Sequence, residues 1–210
     1  MAGQILVLAG TNGAGKSSIG GELLLAAGQS YYNPDLAARS LMAANPGMSQ
    51  GRANGAAWQQ GRMLLERAIA TRGNFAFETT LGGASMTALL RAAAEAGLDV
   101  RIWYAGLASV DLHIERVRRR VAKGGHDIPE VSVRKRFDES RRNLIGLLPH
   151  LAELKVFDNS AEGDPDAGVP PAPALVLHVR DRRIVGPARL DATPQWAKPI
   201  VAAALAVGRR

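Results

Sequence analysis

A chain of 210 residues, 47% hydrophobic and 21% charged, can bury the core of an ordinary domain, which excludes a wholly disordered chain and a collagen-like scaffold. Cysteine is absent, so thiolate metal sites, a catalytic Cys and disulfides are excluded together. No eighteen-residue apolar run is free of charge and the apolar start is too short for a signal peptide, so a cytoplasmic protein is expected.

The net charge of +7 is local. Residues 116–142 hold ten Lys or Arg against four acids, and residues 180–210 hold seven against two. Twenty-one of the 26 cations are Arg, whose planar fork suits phosphate oxygens. Such a segment serves as a nucleic-acid patch, a phosphate clamp or a solvated helix face, and composition does not choose among them.

Gln4 to Ala9 (QILVLA) reads as a buried strand. Gly10 to Ser17 (GTNGAGKS) follows at once and fits G-x-x-x-x-G-K-[ST]. A helical pattern then runs from Ser18 to Ala27, with Ile19, Leu23 and Ala27 near one face and Gly28 as a stop. Glycines let such a loop curl so that its N–H groups face phosphate oxygens, and the following helix adds its positive end. Gly10, Asn12, Gly13, Ala14, Gly15, Lys16, Ser17 and Ser18 are therefore the candidate nucleotide-binding residues, with ATP and Mg²⁺ as the expected ligands. Lys16 would reach the β- and γ-phosphates and the Ser17 hydroxyl would ligate Mg²⁺.

A GTPase needs an N-K-x-D motif and a transporter-type ATPase an L-S-G-G-Q-like one. Neither occurs, and the chain is short for an AAA+ module. The compact kinase plan remains: a Gly-rich loop, a carboxylate that accepts a hydroxyl proton, and an Arg-rich lid.

Tyr31-Tyr32-Asn33-Pro34-Asp35 stands where a second strand should end. Asp35 is expected to cap a helix beginning at Leu36, to act as general base toward an acceptor hydroxyl, or both. Gly51 to Arg72 is expected to form a long core-facing helix with Trp58 as packing, and Asn74 to Glu78 a strand. A Glu at the carboxyl end of a strand faces the ligand crevice, so Glu78 would hold Mg²⁺ through water, meet a substrate hydroxyl or make an edge salt bridge.

Ala84–Gly97 reads as a helix and Asp99–Gly106 as a strand. Helices are expected over Leu112–Val121 and from Ile128-Pro129-Glu130 to about His150, followed by a strand at Lys155–Asp158. Between the two helices, the basic segment with Arg116 and Arg120 on one face and a Gly124-Gly125 hinge is a candidate lid, or a solvated hairpin. His126 is a candidate phosphate or substrate contact, or a local hydrogen-bonding residue. Residues 161–174 read as a mobile connection. Leu175–Arg180 with Arg183–Val185 would make a hairpin and Gln195–Val207 a terminal helix.

GTNGAGKSS, NPD (33–35), FETTLGG (77–83), RVAKGGHDIP (120–129), RRNL (141–144) and FDNS (157–160), in that order, resemble the zeta-toxin family of P-loop kinases over about residues 4–160. The Gly-Gly-His lid is similar to the chromosomal branch. The resemblance implies ATP-dependent phosphorylation of a hydroxyl, which in the toxins is the amino-sugar 3′-hydroxyl of UDP-N-acetylglucosamine, and an antitoxin partner. It also implies that Lys16 and Ser17 hold phosphate and Mg²⁺, that Asp35 is the base, that Glu78 and Thr80 contact acceptor, and that Arg120 and Arg136 are the lid arginines.

The expectation is thus an α/β chain of three-layer P-loop kinase fold with a mostly parallel sheet. Residues 1–160 would form the core with a lid at about 116–142, and residues 175–210 a hairpin and helix packed on it. The leading function is a small-molecule kinase. A polynucleotide kinase or RNA-binding ATPase is the second reading, disfavoured because neither basic segment interleaves aromatics. A nucleotide-gated interaction protein is the third.

Overall fold

The computed structural model describes residues 3–21, 31–161 and 172–209. Strands β1 (Gln4–Ala9), β2 (Phe75–Thr79), β3 (Asp99–Gly106) and β4 (Glu153–Asp158) pair in parallel in the order β2-β1-β3-β4. β1 lies inside the sheet, which is why QILVLA is apolar at consecutive rather than alternate positions. β5 (Ala174–Arg180) and β6 (Arg183–Gly186) continue the sheet antiparallel beyond β4. The helices are α1 (Pro34–Ala44), α2 (Gln50–Thr71), α3 (Ala84–Glu95), α4 (Val110–Ala122), α5 (Glu130–Leu147) and α6 (Lys198–Val207). This mixed α/β class with a mostly parallel sheet agrees with the sequence expectation. The parallel registers match Ala9 with Thr79 and Tyr104, and Gly106 with Asp158, so the carboxyl ends of all four parallel strands meet at one edge. That edge is where ligands bind in sheets of this kind.

Several boundaries differ from expectation for local reasons. Where the first helix is expected, a π-helical turn over Ser17–Gly21 is described, and the rest of that expectation, with Leu23, Ala27 and Gly28, lies outside the described residues. The strand expected before Asn33 is reduced to one bridge, Tyr32 to Phe77. α1 begins at Pro34, not Leu36, and its cap is Asn33, whose Oδ1 accepts the N–H groups of Asp35 and Leu36. Asp35 therefore stands in the first turn and not at the cap. Pro129 is the cap of α5 rather than part of its first turn. α6 begins at Lys198, after a 3-10 turn over Gln195–Ala197. Of the connection expected over 161–174, residues 162–171 lie outside the described residues. Among the described residues no helix is long and apolar enough to cross a membrane.

The segment from β5 onward is bound to the rest of the fold in two places. Glu153 is buried and takes hydrogen bonds from His178 at 2.7 Å and Arg180 at 2.9 Å, which clips β5 to β4. Burial alone would raise the Glu153 carboxyl, but the hydrogen bonds from Arg180 and His178 and the Lys155 charge pull it below its ordinary value. At the other end, the buried indole of Trp196 lies on Gly106, where a Cβ would come within 2.3 Å of the ring. The same ring meets Tyr104, centroids 6.3 Å apart. Tyr104 is in turn tied to Ser140 of α5 through hydroxyls 3.0 Å apart, and burial pushes its phenol up to about 12. Ile200, Val201 and Ala204 join the same apolar cluster as Leu147 and Val156.

Trp196→Ala is expected to lower stability by about 3 kcal/mol through loss of a buried indole and the cavity left on Gly106, read as a drop in the urea midpoint at unchanged slope.

Candidate active site

The Gly10–Ser17 loop leaves β1 and turns against the backbone behind it. Gly10 has φ +140° and a Cβ there would stand 2.2 Å from the Ala105 carbonyl oxygen; Gly13 has φ +83° and its Cβ would stand 2.7 Å from that of His113. Both positions demand glycine on conformation and on space. Inside the loop the Ala14 N–H donates to the Thr11 carbonyl at 3.1 Å. From outside, Asn159 Nδ2 donates to the Ala14 carbonyl at 2.9 Å, and His113 Nδ1 meets the Asn12 carbonyl at 2.8 Å. Arg136 Nη1 donates to Asn12 Oδ1 at 2.8 Å, while Thr11 Oγ1 donates to the Arg136 carbonyl at 3.3 Å. Asn12 is thus held by α4 at its backbone and by α5 at its side chain.

On the open side Glu78, at the end of β2, gathers the loop's chemical groups. Lys16 Nζ lies 3.5 Å from Glu78 Oε1, and both side chains are about nine-tenths buried. Ser17 Oγ and Asn33 Nδ2 donate to Glu78 Oε2 at 3.0 and 3.1 Å. Asn33 serves two ends at once, capping α1 with its oxygen and binding Glu78 with its nitrogen. The N-P-D tripeptide could have identified that role, since Asn is a preferred cap and Pro a preferred first helical residue.

Asp35 faces the lid. Its Oδ2 is 3.9 Å from Arg120 Nη1 and its Oδ1 is 3.8 Å from His126 Nε2. Asn12, Lys16, Asp35, Glu78, His126 and Arg136 border one cavity of about 450 Å³. Thr80 borders it too, and so does Trp58, which is 41% exposed and not the packing residue expected of it. Arg120 stands apart from these: it borders a neighbouring basic cavity with Arg39, Arg116 and Asp35, donates from Nη2 to the His126 carbonyl at 3.1 Å, and has a buried Nε without a hydrogen-bond partner among the described residues. Ser18 lies in the π-helical turn. His113 and Trp58 carry no motif-level signal for the places they occupy, because one is defined by a partner far along the chain and the other by a cavity wall, whereas Asn159 stands in the FDNS stretch.

The segment expected to be a lid is a helical hairpin of α4 and α5 about Gly124-Gly125. Arg118 pairs with Glu130 and Arg134 with Asp111 across the hairpin, while Arg119 with Glu115 and Lys135 with Glu139 pair along a helix. Much of the basic cluster is therefore engaged within the lid itself, while Arg136 and Arg120 turn toward the loop and toward Asp35.

A carbonyl can only accept, so His113 carries its proton on Nδ1 and is neutral. Burial is the main cause that lowers its pKa to about 4, helped by the charges of Lys16, Arg116 and Arg141 and opposed by the bond to Asn12. Below about pH 6.5 the unfolded chain takes up a proton that the folded chain refuses until about pH 4. Stability is expected to be complete above that window and to fall by about 3 kcal/mol as pH drops through it. Urea melts of the wild type and His113→Gln across pH 7 to 4 test this: the variant should lack the extra slope, and identical slopes would refute it.

A family model described as Zeta toxin matches residues 3–161. An uncharacterized protein of Haemophilus influenzae is 31% identical over 137 residues, which is 65% of this chain and 94% of that protein. Among solved structures, the AvrRxo1-ORF1:-ORF2 complex with ATP is similar with TM-score 0.67 at 15% identity, over 97% of this chain and 64% of the matched one. The PezAT chromosomal toxin-antitoxin system of Streptococcus pneumoniae is similar with TM-score 0.56 at 14% identity, over 99% and 85%. At such identities the likeness is one of fold, and this chain spans about two thirds of the AvrRxo1 chain's length. The family match, covering the Gly-rich loop, the Glu78 strand and the whole lid, supports a P-loop kinase: the chain belongs to the Zeta toxin family.

Proposed function

We propose that the chain transfers the γ-phosphate of ATP to a hydroxyl of a small molecule, with Asp35 as general base. The observation that carries this reading is that Lys16, from the Gly-rich loop, and Asp35, from the first turn of α1, border the same cavity. The acceptor oxygen attacks the γ-phosphorus, its proton passes to the Asp35 carboxylate, and the bond to the β-bridging oxygen breaks to release ADP. Arg120 and His126, each just under 4 Å from that carboxylate, orient it. Lys16 and Arg136 offset charge on the transferring group. With phosphate in the loop, Lys16 would exchange Glu78 for the phosphate oxygens.

The oxygen donors Ser17 Oγ and Glu78 Oε2, already 3.0 Å apart, fit a hard divalent cation that keeps most of its water, so these two would hold Mg²⁺. Bound there, Mg²⁺ would neutralise phosphate charge. Thr80, beside Glu78, would contact the acceptor. The family resemblance supports UDP-N-acetylglucosamine as acceptor. Similarity to PezAT, a toxin-antitoxin system, supports an antitoxin partner, and similarity to a complex with ATP supports ATP as donor.

Incubation with Mg-ATP and a metabolite extract should yield a product heavier by about 80 Da in the mass spectrum. Asp35→Asn should lose that turnover by about 100-fold or more while ATP affinity, read by calorimetry, stays within about twofold. Retained turnover would remove Asp35 from the role of base, and absence of ATP binding in the wild type would remove the kinase reading itself.

A further inference from the structure

Resting on that reading, we propose that the α2 wall of the cavity is the subsite for an uncharged ring of the acceptor, stacked on Trp58. The buried stripe of α2 is Ala53, Ala57, Gly61, Leu65 and Ala68, and Trp58 stands beside it with 41% of its surface open. Trp196, by contrast, is 4% exposed inside the core. An open indole in the wall that also holds Lys16, Asp35 and Glu78 is placed to meet whatever those residues act on.

Its surroundings define the shape and charge of the occupant. One turn before it Gly55 also lines the cavity, and a Cβ there would meet nothing within 4 Å among the described residues, so the absent side chain leaves room on this wall and relieves no clash. The cavity's cations, Lys16 and Arg136, come from the loop and from α5, whereas α2 contributes Asn54, Gly55, Trp58 and Gly61, none of them charged. A phosphate would find no counter-charge on this wall. A neutral ring would find an aromatic face to lie on and an amide at its edge, the combination by which indoles take the C–H face of a sugar or the π face of a base. The ring would rest on α2 and present a hydroxyl toward Asp35.

The test titrates the full chain with N-acetylglucosamine and with uridine while following tryptophan emission. Trp103 and Trp196 remain in Trp58→Phe, so the difference between wild type and that variant isolates Trp58. Saturable change in the Trp58 emission by one probe supports the subsite and tells sugar from base. Read by calorimetry, which does not depend on the indole, Trp58→Ala should weaken that probe by about tenfold while Trp58→Phe stays within about threefold. Silence of Trp58 toward both probes, or equal affinity in Trp58→Ala, would overturn the proposal. ATP calorimetry on the same samples keeps the two readings apart: ring binding without ATP binding sinks the kinase and not the subsite, and ATP binding without ring binding does the reverse.

Discussion

Gly10 and Gly13 lie so close to the carbonyls of Ala105 and His113 that no side chain fits between, and this contact sets the shape of the whole active end. It presses the loop onto the end of β3 and the body of α4, leaving its other surface for a ligand. Because the Asn12 peptide is bound by His113 and its side chain by Arg136, the loop and both lid helices form one hydrogen-bonded unit. Any displacement of this hairpin relative to the loop would have to be transmitted to, or absorbed at, Asn12.

Glu78 is the complementary element in front. A buried carboxylate costs desolvation that one lysine barely offsets. Here two further donors, Ser17 and Asn33, share the load. The net contribution to stability is small, and the arrangement serves position: it connects β2, the loop and the start of α1 at a single carboxylate. Asp35 belongs to the same framework at one remove, because the cap that binds Glu78 also starts the helix on which Asp35 stands.

The Gly-rich loop, the parallel strands and the hairpin helices of the lid were legible because each depends on a local pattern: glycine spacing, apolar runs, turn residues. The Asn33 cap was legible in principle and was assigned to its neighbour, since Asn and Asp compete for the same place and only the Pro between them decides. His113 was not legible. A histidine on the face of a basic helix looks like any other until Asn12, a hundred residues earlier, is folded against it. Trp58 misled for the opposite reason: helical spacing marks one face as buried, but an indole at the margin of that face can turn either inward or into a cavity. Nor does spacing reveal which lid arginine reaches which anion. Arg120 and Arg136 both point inward, one to Asp35 and one to Asn12, a distinction set by how the hairpin sits on the sheet.

The stretch matched by the family ends at residue 161, just past β4, and the antiparallel pair β5 and β6 then covers what would otherwise be an open border. β4 bears the fully buried Leu154 and Val156, and without that cover its unpaired backbone groups would offer a template to any extended segment of another molecule. β6 replaces this border with four residues, from Arg183 to Gly186, followed at once by Pro187, which makes a short edge with few donors. The tail thus puts a short border where a longer apolar one would stand, and a protein cut back to residues 3–161 would be expected to expose the β4 edge to other extended chains.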